Sequence, residues 1–218
     1  MISAAHGNPL PSTGLNLPPR ENLLLHRVVD PQLLRDLNLW DARFAEWRPA
    51  TLAEHPIEPS AVVVIHFWAP WCKPCLAELP LWLQLSSRLQ AAHPGRLRVL
   101  FVTLQTNQTD MERFLATNQE SVRNGTFWLD VGERLTALMR TGLPEDRLPL
   151  PATLWLDSSR VVRQALLGPV AHRQLEVIQT TERLIALPLR LPAMPIAPDV
   201  QRSQNGVPGR VTHRPTAK

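Results

Sequence analysis

Residues 61–80 read AVVVIHFWAPWCKPCLAELP, and their pattern changes once, in the middle. Ala61 to Phe67 is a continuous apolar run rich in β-branched residues. Such runs suit a central strand buried on both faces, and therefore a parallel sheet. From Cys72 the spacing turns helical, with Leu76, Leu79, Leu83 and Leu89 on one side and a stop signal at His93-Pro94-Gly95. Cys72 and Cys75, the two cysteines of the 218-residue chain, stand where the strand ends and the helix begins.

That placement has chemical consequences. The thiolate, not the thiol, attacks disulfides, so a reactive cysteine needs a lowered pKa. The free N–H groups and the positive dipole end of a helix stabilise an anion there, and Lys73 adds a neighbouring cation. Cys75 lies three residues on, on the same helical face and within the Cα separation that a disulfide tolerates. Pro74 falls in the first turn, where its missing N–H is no loss. Two cysteines do not make a disulfide scaffold. One local pair points to redox chemistry or to half of a metal site.

Outward from this stretch, LRVLFVTL (97–104) reads as a second strand. Thr109-Asp110-Met111-Glu112 has the form of a capping box and predicts a helix through about Ala116, and Asp130 with Glu133 opens another that stops near Gly142 and Pro144. ATLWLD (152–157), Ser158-Ser159 and RVVRQALL predict a hairpin. Gly168-Pro169 ends it, and the amphipathic stretch from Val170 to Leu187 closes the fold as a helix. Upstream, Asp30-Pro31 offers an N-cap and first helical residue. Leu33, Leu37, Trp40, Phe44 and Trp47 then form a helical stripe, although Leu37 and Leu39 also alternate as strand residues do. The stripe is read as a helix. The order strand, helix, strand, helix, helix, hairpin, helix predicts an α/β fold with a central mixed sheet flanked by helices.

The bulk composition is ordinary: 44% apolar and 19% charged, with no apolar run long enough for a membrane span. The 22 prolines are about twice average usage, and ten of them lie in the first 20 and last 31 residues. Both ends therefore read as extended or disordered. The organisation expected is a flexible proline-rich lead-in (1–29), an N-terminal extension packing on the domain (30–54), one domain (55–187) and a disordered basic tail (188–218). Most of the net charge of +4 sits in that tail as spaced cations, which reads as a solvated end rather than a nucleic-acid surface.

FWAPWCKPC, followed by Glu78 and Pro80 in CLAELP, resembles the thioredoxin superfamily, and within it the TlpA/ResA-type thiol-disulfide oxidoreductases. The resemblance spans roughly residues 55–187 and implies a thioredoxin-like fold. It implies that Cys72 attacks and Cys75 resolves, that Trp71 shields the site and that Pro80 kinks the helix. Pro151 matches the family's cis-proline beside the disulfide, with the backbone of Leu150 pairing with substrate. Glu78 matches a carboxylate near the thiols that tunes their protonation and takes the proton of Cys75. Lys73 and Pro74, between the cysteines, tune the thiol pKa.

Two features depart from the family pattern. His66 stands where relatives carry a buried aspartate or asparagine, and a histidine there is either a packed core residue or a proton shuttle near neutral pH. The loop from Pro144 to Pro149 is longer than usual before the proline.

The function expected is reduction of protein disulfides by a Cys72–Cys75 couple, with no metal or organic cofactor. Its partners would be disulfide- or thiol-bearing proteins and an upstream electron-donating thiol protein, with no nucleic acid and no membrane span. A copper or zinc carrier using both thiolates is one alternative, and a non-catalytic interaction module of the same fold is another. Residues 1–20 lack a basic n-region and an apolar h-region, so the expectation is cytoplasmic, or periplasmic if the true N-terminus is missing.

Overall fold

The computed structural model describes residues 19–41, 44–49, 56–104, 106–122 and 125–187. The disorder expected for residues 1–18 and 188–218 lies outside them. Within them a seven-stranded mixed sheet is flanked by five helices. The elements are α1 (Pro31–Arg35), β1 (Asn38–Asp41), β2 (Glu46–Pro49), β3 (Val62–Trp68), α2 (Lys73–Ala92), β4 (Leu97–Thr103), α3 (Gln108–Val122), β5 (Phe127–Leu129), α4 (Arg134–Arg140), β6 (Ala152–Leu156), β7 (Val162–Leu167) and α5 (Gln174–Ala186). The strand order is β2-β1-β5-β4-β3-β6-β7. β3, β4 and β5 run parallel, and β6 turns antiparallel against β3.

Every residue of β3 is buried, as its unbroken apolar run requires. The period of two then sorts its side chains. Val62, Val64 and Trp68 join a core with Leu79 and Trp82 of α2, Phe114 of α3 and Val177 of α5. Val63, Ile65 and Phe67 join a second core with Leu34, Leu135 and Met139 from α1 and α4. His66 has the parity of the first set, and this alone places its ring toward α2.

The stripe from Leu33 to Trp47 is helical only as far as Arg35. Asp30 caps α1 by accepting the Gln32 N–H at 2.8 Å, and the remainder is the β1–β2 hairpin with Trp40 opposite Trp47. The two rings meet edge to face at 5.1 Å. Strand wins because β1 also pairs with β5, Leu39 opposite Trp128, a distant partner that spacing within the stripe cannot reveal. Through β1 and β2 the described part of the 30–54 extension thus continues the sheet.

α3 also differs from expectation. Its cap is Asn107, whose side chain accepts the Asp110 N–H at 2.9 Å, rather than Thr109. The helix continues beyond Ala116 to Val122 across a bend at Asn118. Asn118 bonds the Phe114 carbonyl through its own side chain, a local bond of the kind that competes with regular helix. Asp130 does open α4, accepting the Thr136 N–H and hydroxyl, both at 2.6 Å.

The lead-in packs against the domain over its described part. Leu24 and Val29 are fully buried. The His26 N–H donates to the Val162 carbonyl at 2.8 Å and the Val29 N–H to the Arg160 carbonyl at 2.9 Å. The Arg27 guanidinium donates to the Leu138 and Thr141 carbonyls at the end of α4, which otherwise lack helical partners. Leu24→Ala should therefore destabilise the fold by about 2–5 kcal/mol, as for other fully buried leucines. Thermal melting would show it as a drop of roughly 5–15 °C, whereas an unattached lead-in would leave the midpoint unchanged.

Candidate active site

α2 begins with a sulfur. Cys72 is its N-cap, in extended backbone conformation, and its Sγ accepts the Cys75 N–H at 3.3 Å. Ser, Thr, Asp and Asn usually supply this acceptor; here the sulfur replaces an oxygen. Pro74 occupies the first turn, so the N–H it lacks is one that no capping group has to satisfy. The turn before the helix is closed by the Cys72 N–H donating to the Ala69 carbonyl at 3.0 Å. Cys72 and Cys75 are joined by a disulfide, with Cα atoms 5.3 Å apart.

The two sulfurs are not equivalent. Cys72 is 5% exposed and Cys75 0%, whereas Trp71 beside them is 56% exposed. Trp71 and Cys72 border a groove of about 670 Å³ whose other walls include Lys73, Pro74 and Leu150. The Leu150–Pro151 peptide is cis and immediately precedes β6, which is the position that the resemblance implies. The Leu150 N–H and carbonyl make no backbone hydrogen bond among the described residues. Leu104, Thr136, Arg140, Asp146, Arg147 and Leu148 complete the lining. Sequence reading singled out the loop that carries Asp146 and Arg147 but none of these residues.

Pro80 lies inside α2, which continues unbroken to Ala92. Beneath the disulfide the same helix buries Glu78, three residues after Cys75 and therefore on its face. One carboxylate oxygen of Glu78 accepts the Val170 N–H at 2.6 Å. The other faces His66 Nε2 at 3.8 Å, and neither of these two atoms has a hydrogen-bond partner. His66 Nδ1 is 3.0 Å from Thr153 Oγ1, because β3 and β6 place those residues opposite each other. The His66 ring also stacks near Trp82 and Phe101, at 5.1 and 5.7 Å. Thr153 and the Val170 N–H are contacts that sequence reading missed. Both come from distant elements, and only the strand register could have suggested Thr153.

Burial controls the charge of this pair. It disfavours either ion, lowering the His66 pKa to about 3. It raises the Glu78 carboxyl above its ordinary value, against the opposing pull of the Val170 and Ala171 N–H groups. Of the two readings of His66, a packed core residue or a proton shuttle near neutral pH, burial favours the first, since it keeps the ring neutral there. Burial thus favours the uncharged form of both groups. Among the described residues no group of three or more His, Cys, Asp or Glu side chains could hold a metal ion. No described helix is long and apolar enough to cross a membrane.

No family model matches the chain. Two curated relatives, the thiol-disulfide oxidoreductases ResA of Bacillus thuringiensis (strain Al Hakam) and of Bacillus anthracis, are each 25% identical over 114 residues, covering 52% of this chain and 59% of theirs. The chain thus spans about three-fifths of the length of the curated relatives it matches. Among solved structures, StoA from Bacillus subtilis covers 66% of this chain and 97% of its own at 21% identity and a TM-score of 0.43. A secreted disulfide oxidoreductase of Mycobacterium tuberculosis covers 72% and 100% at 21% identity and 0.46. A cysteine pair at the tip of α2 and a cis-proline before β6 thus accompany sequence similarity to the thiol-disulfide oxidoreductase ResA.

Proposed function

We propose that the chain is a thiol-disulfide oxidoreductase that reduces protein disulfides through Cys72 and Cys75. The observation that carries this reading is Cys72 Sγ acting as the acceptor at the tip of α2 while bonded to a fully buried mate. The N–H and the helix dipole that hold the sulfur now would hold it as a thiolate once reduced, which lowers its pKa. The ResA similarity supports the same activity.

The exchange has two steps. The Cys72 thiolate attacks one sulfur of a substrate disulfide, and the other substrate sulfur leaves as a thiolate and takes a proton from water. Cys75 then gives up its proton and attacks Cys72 Sγ, releasing the second substrate thiol and closing the Cys72–Cys75 bond. Two electrons have passed to the substrate, and an upstream thiol protein restores the dithiol. Glu78 is the acceptor for the Cys75 proton: it shares the buried face, and burial brings its pKa toward that of a thiol. His66 positions Glu78 rather than carrying charge. The alternative of a metal carrier lacks a third ligand grouped with the two sulfurs among the described residues.

Three measurements test this. Cys75→Ser should accumulate a mixed disulfide on Cys72 with a disulfide-bonded protein such as insulin, visible on non-reducing gels, and Cys72→Ser should abolish turnover. Stoichiometric metal on the reduced protein without turnover would reverse the reading.

Glu78→Gln keeps an oxygen for the Val170 N–H but cannot accept a proton. It should slow resolution by about 100-fold, in the range typical of general acid–base groups, while leaving alkylation of Cys72 by iodoacetamide unchanged. Equal loss in both steps would instead mark Glu78 as a structural group.

The third concerns stability. A base whose folded pKa is depressed contributes stability that is present above its unfolded value and lost on acidification. For His66 the window runs from 6.5 down to about 3, with a slope of at most about 1.4 kcal/mol per pH unit. Glu78, raised by burial, acts oppositely: its contribution is present below 4.5 and lost as pH rises through its folded pKa. His66→Asn should flatten the acid-side decline in urea midpoints, and an unchanged slope would contradict the burial argument.

A further inference from the structure

The groove beside Cys72 carries an uneven set of charges. Its walls hold Lys73, Arg140 and Arg147 against a single acid, Asp146, and the Asp146 carboxylate is already engaged by the Gly142 N–H at 3.1 Å. Arg140 pairs with Glu133 at 3.2 Å and Arg147 with Glu145 at 3.8 Å. Neither glutamate lines the groove, and both pairs are substantially exposed, where ion pairs are weak and readily exchanged for another carboxylate. Lys73 makes no ion pair among the described residues and lies one residue from the attacking sulfur. Leu150 contributes a backbone N–H and carbonyl without backbone partners to the same groove, as an extended chain requires.

Resting on the redox reading above, we propose that this groove selects protein disulfides whose cysteine is flanked by acidic residues. An extended substrate segment lies along Leu150 with its cysteine at Cys72. Aspartate or glutamate side chains two or three positions away meet Lys73, Arg140 and Arg147. Arginine forks bind carboxylates through two N–H groups at once, and complementary charge speeds encounter more than it deepens binding. The selectivity is therefore a rate effect, sensitive to salt.

The test uses the pre-reduced full chain and three peptide disulfides of equal length. The residues two and three positions on either side of the cysteine are all Asp, all Asn or all Lys. At about 50 mM salt the expected order of kcat/KM is Asp above Asn above Lys, with about 3- to 10-fold between successive peptides, the range of one or two exposed charge contacts. Adding salt to about 0.5 M, where screening acts within a few ångströms, should compress the series to within about twofold. The Arg140→Gln/Arg147→Gln double variant should do the same at low salt, with each protein's rates expressed relative to its own rate with uncharged dithiodipyridine.

Equal rates for the three peptides overturn the proposal, as does a preference for Asp that survives in the double variant. Failure of the wild type to react with dithiodipyridine sinks the redox reading instead. In that event, fluorescence anisotropy with labelled serine-for-cysteine versions of the same peptides still decides the groove. Binding in the order Asp, Asn, Lys upholds it, and binding without order overturns it.

Discussion

The site depends on one hydrogen bond, from the Cys75 N–H to Cys72 Sγ. A helix start leaves several N–H groups without partners, and a capping side chain ordinarily satisfies one of them with an oxygen. When the cap is a sulfur, the group that satisfies the helix is the group that reacts, and the fold favours the more reactive form of its own nucleophile. The arrangement requires that α2 start at Cys72 and not a residue to either side. β3 enforces this: it is buried along its whole length and paired with β4 and β6 on both edges. The Leu104 N–H also donates to the Trp68 carbonyl at 3.0 Å, which holds the end of the strand just before the turn.

A second constraint follows from the same strand. Position 66 points toward α2, and anything polar there is sealed beneath the disulfide. A buried acceptor without a donor is expensive unless it is neutralised or paired. Among the described residues Glu78 Oε1 and His66 Nε2 have no hydrogen-bond partner and lie 3.8 Å apart, and a proton taken up by the carboxylate, such as that of Cys75 in the proposed exchange, would let each satisfy the other. Thr153 holds Nδ1 on the far side of the ring, fixing the orientation that the exchange requires. Where an aspartate would place a charge, this chain places a neutral base and leaves the titrating group on the helix. In the proposed exchange the proton that Cys75 loses has its destination on the same element as the thiol.

The parts legible in the sequence are those specified locally. The AVVVIHF run, the Leu stripe of α2, LRVLFVTL and the β6–β7 hairpin each contain their own pattern and stop signal. So do the paired cysteines and the proline before β6. What stayed hidden depends on partners far along the chain. Leu33, Leu37, Trp40, Phe44 and Trp47 fit a helix face as well as a hairpin, and only pairing of β1 with β5 decides between them. β5 itself, three residues long, is too short for any period to register. Leu24 and Val29 sit in a segment whose proline content suggested disorder, yet they fill the core under β7 and α4. Charge was the least legible property of the site: His66 is a neutral-pH switch by residue type, and only full burial reveals that it stays unprotonated.

The asymmetry between the two sulfurs also assigns separate tasks to separate surfaces. Cys72 lines the groove, whereas Cys75 is sealed by α2 and the first core and Trp71 projects beside the opening. In the proposed exchange the order of attack is thus set by access, before any difference in pKa acts. In that exchange residues beneath the disulfide would govern how fast the second step runs, whereas residues around Cys72 would govern which disulfides begin the first. Glu78 and His66 belong to the former group and cannot meet a substrate. The loop from Pro144 to Pro149 belongs to the latter. It leads directly into Leu150, so a longer loop there adds wall to the groove without disturbing the buried pair. Selectivity and exchange rate can then vary independently in this fold, since the groups controlling them lie on opposite sides of one sulfur.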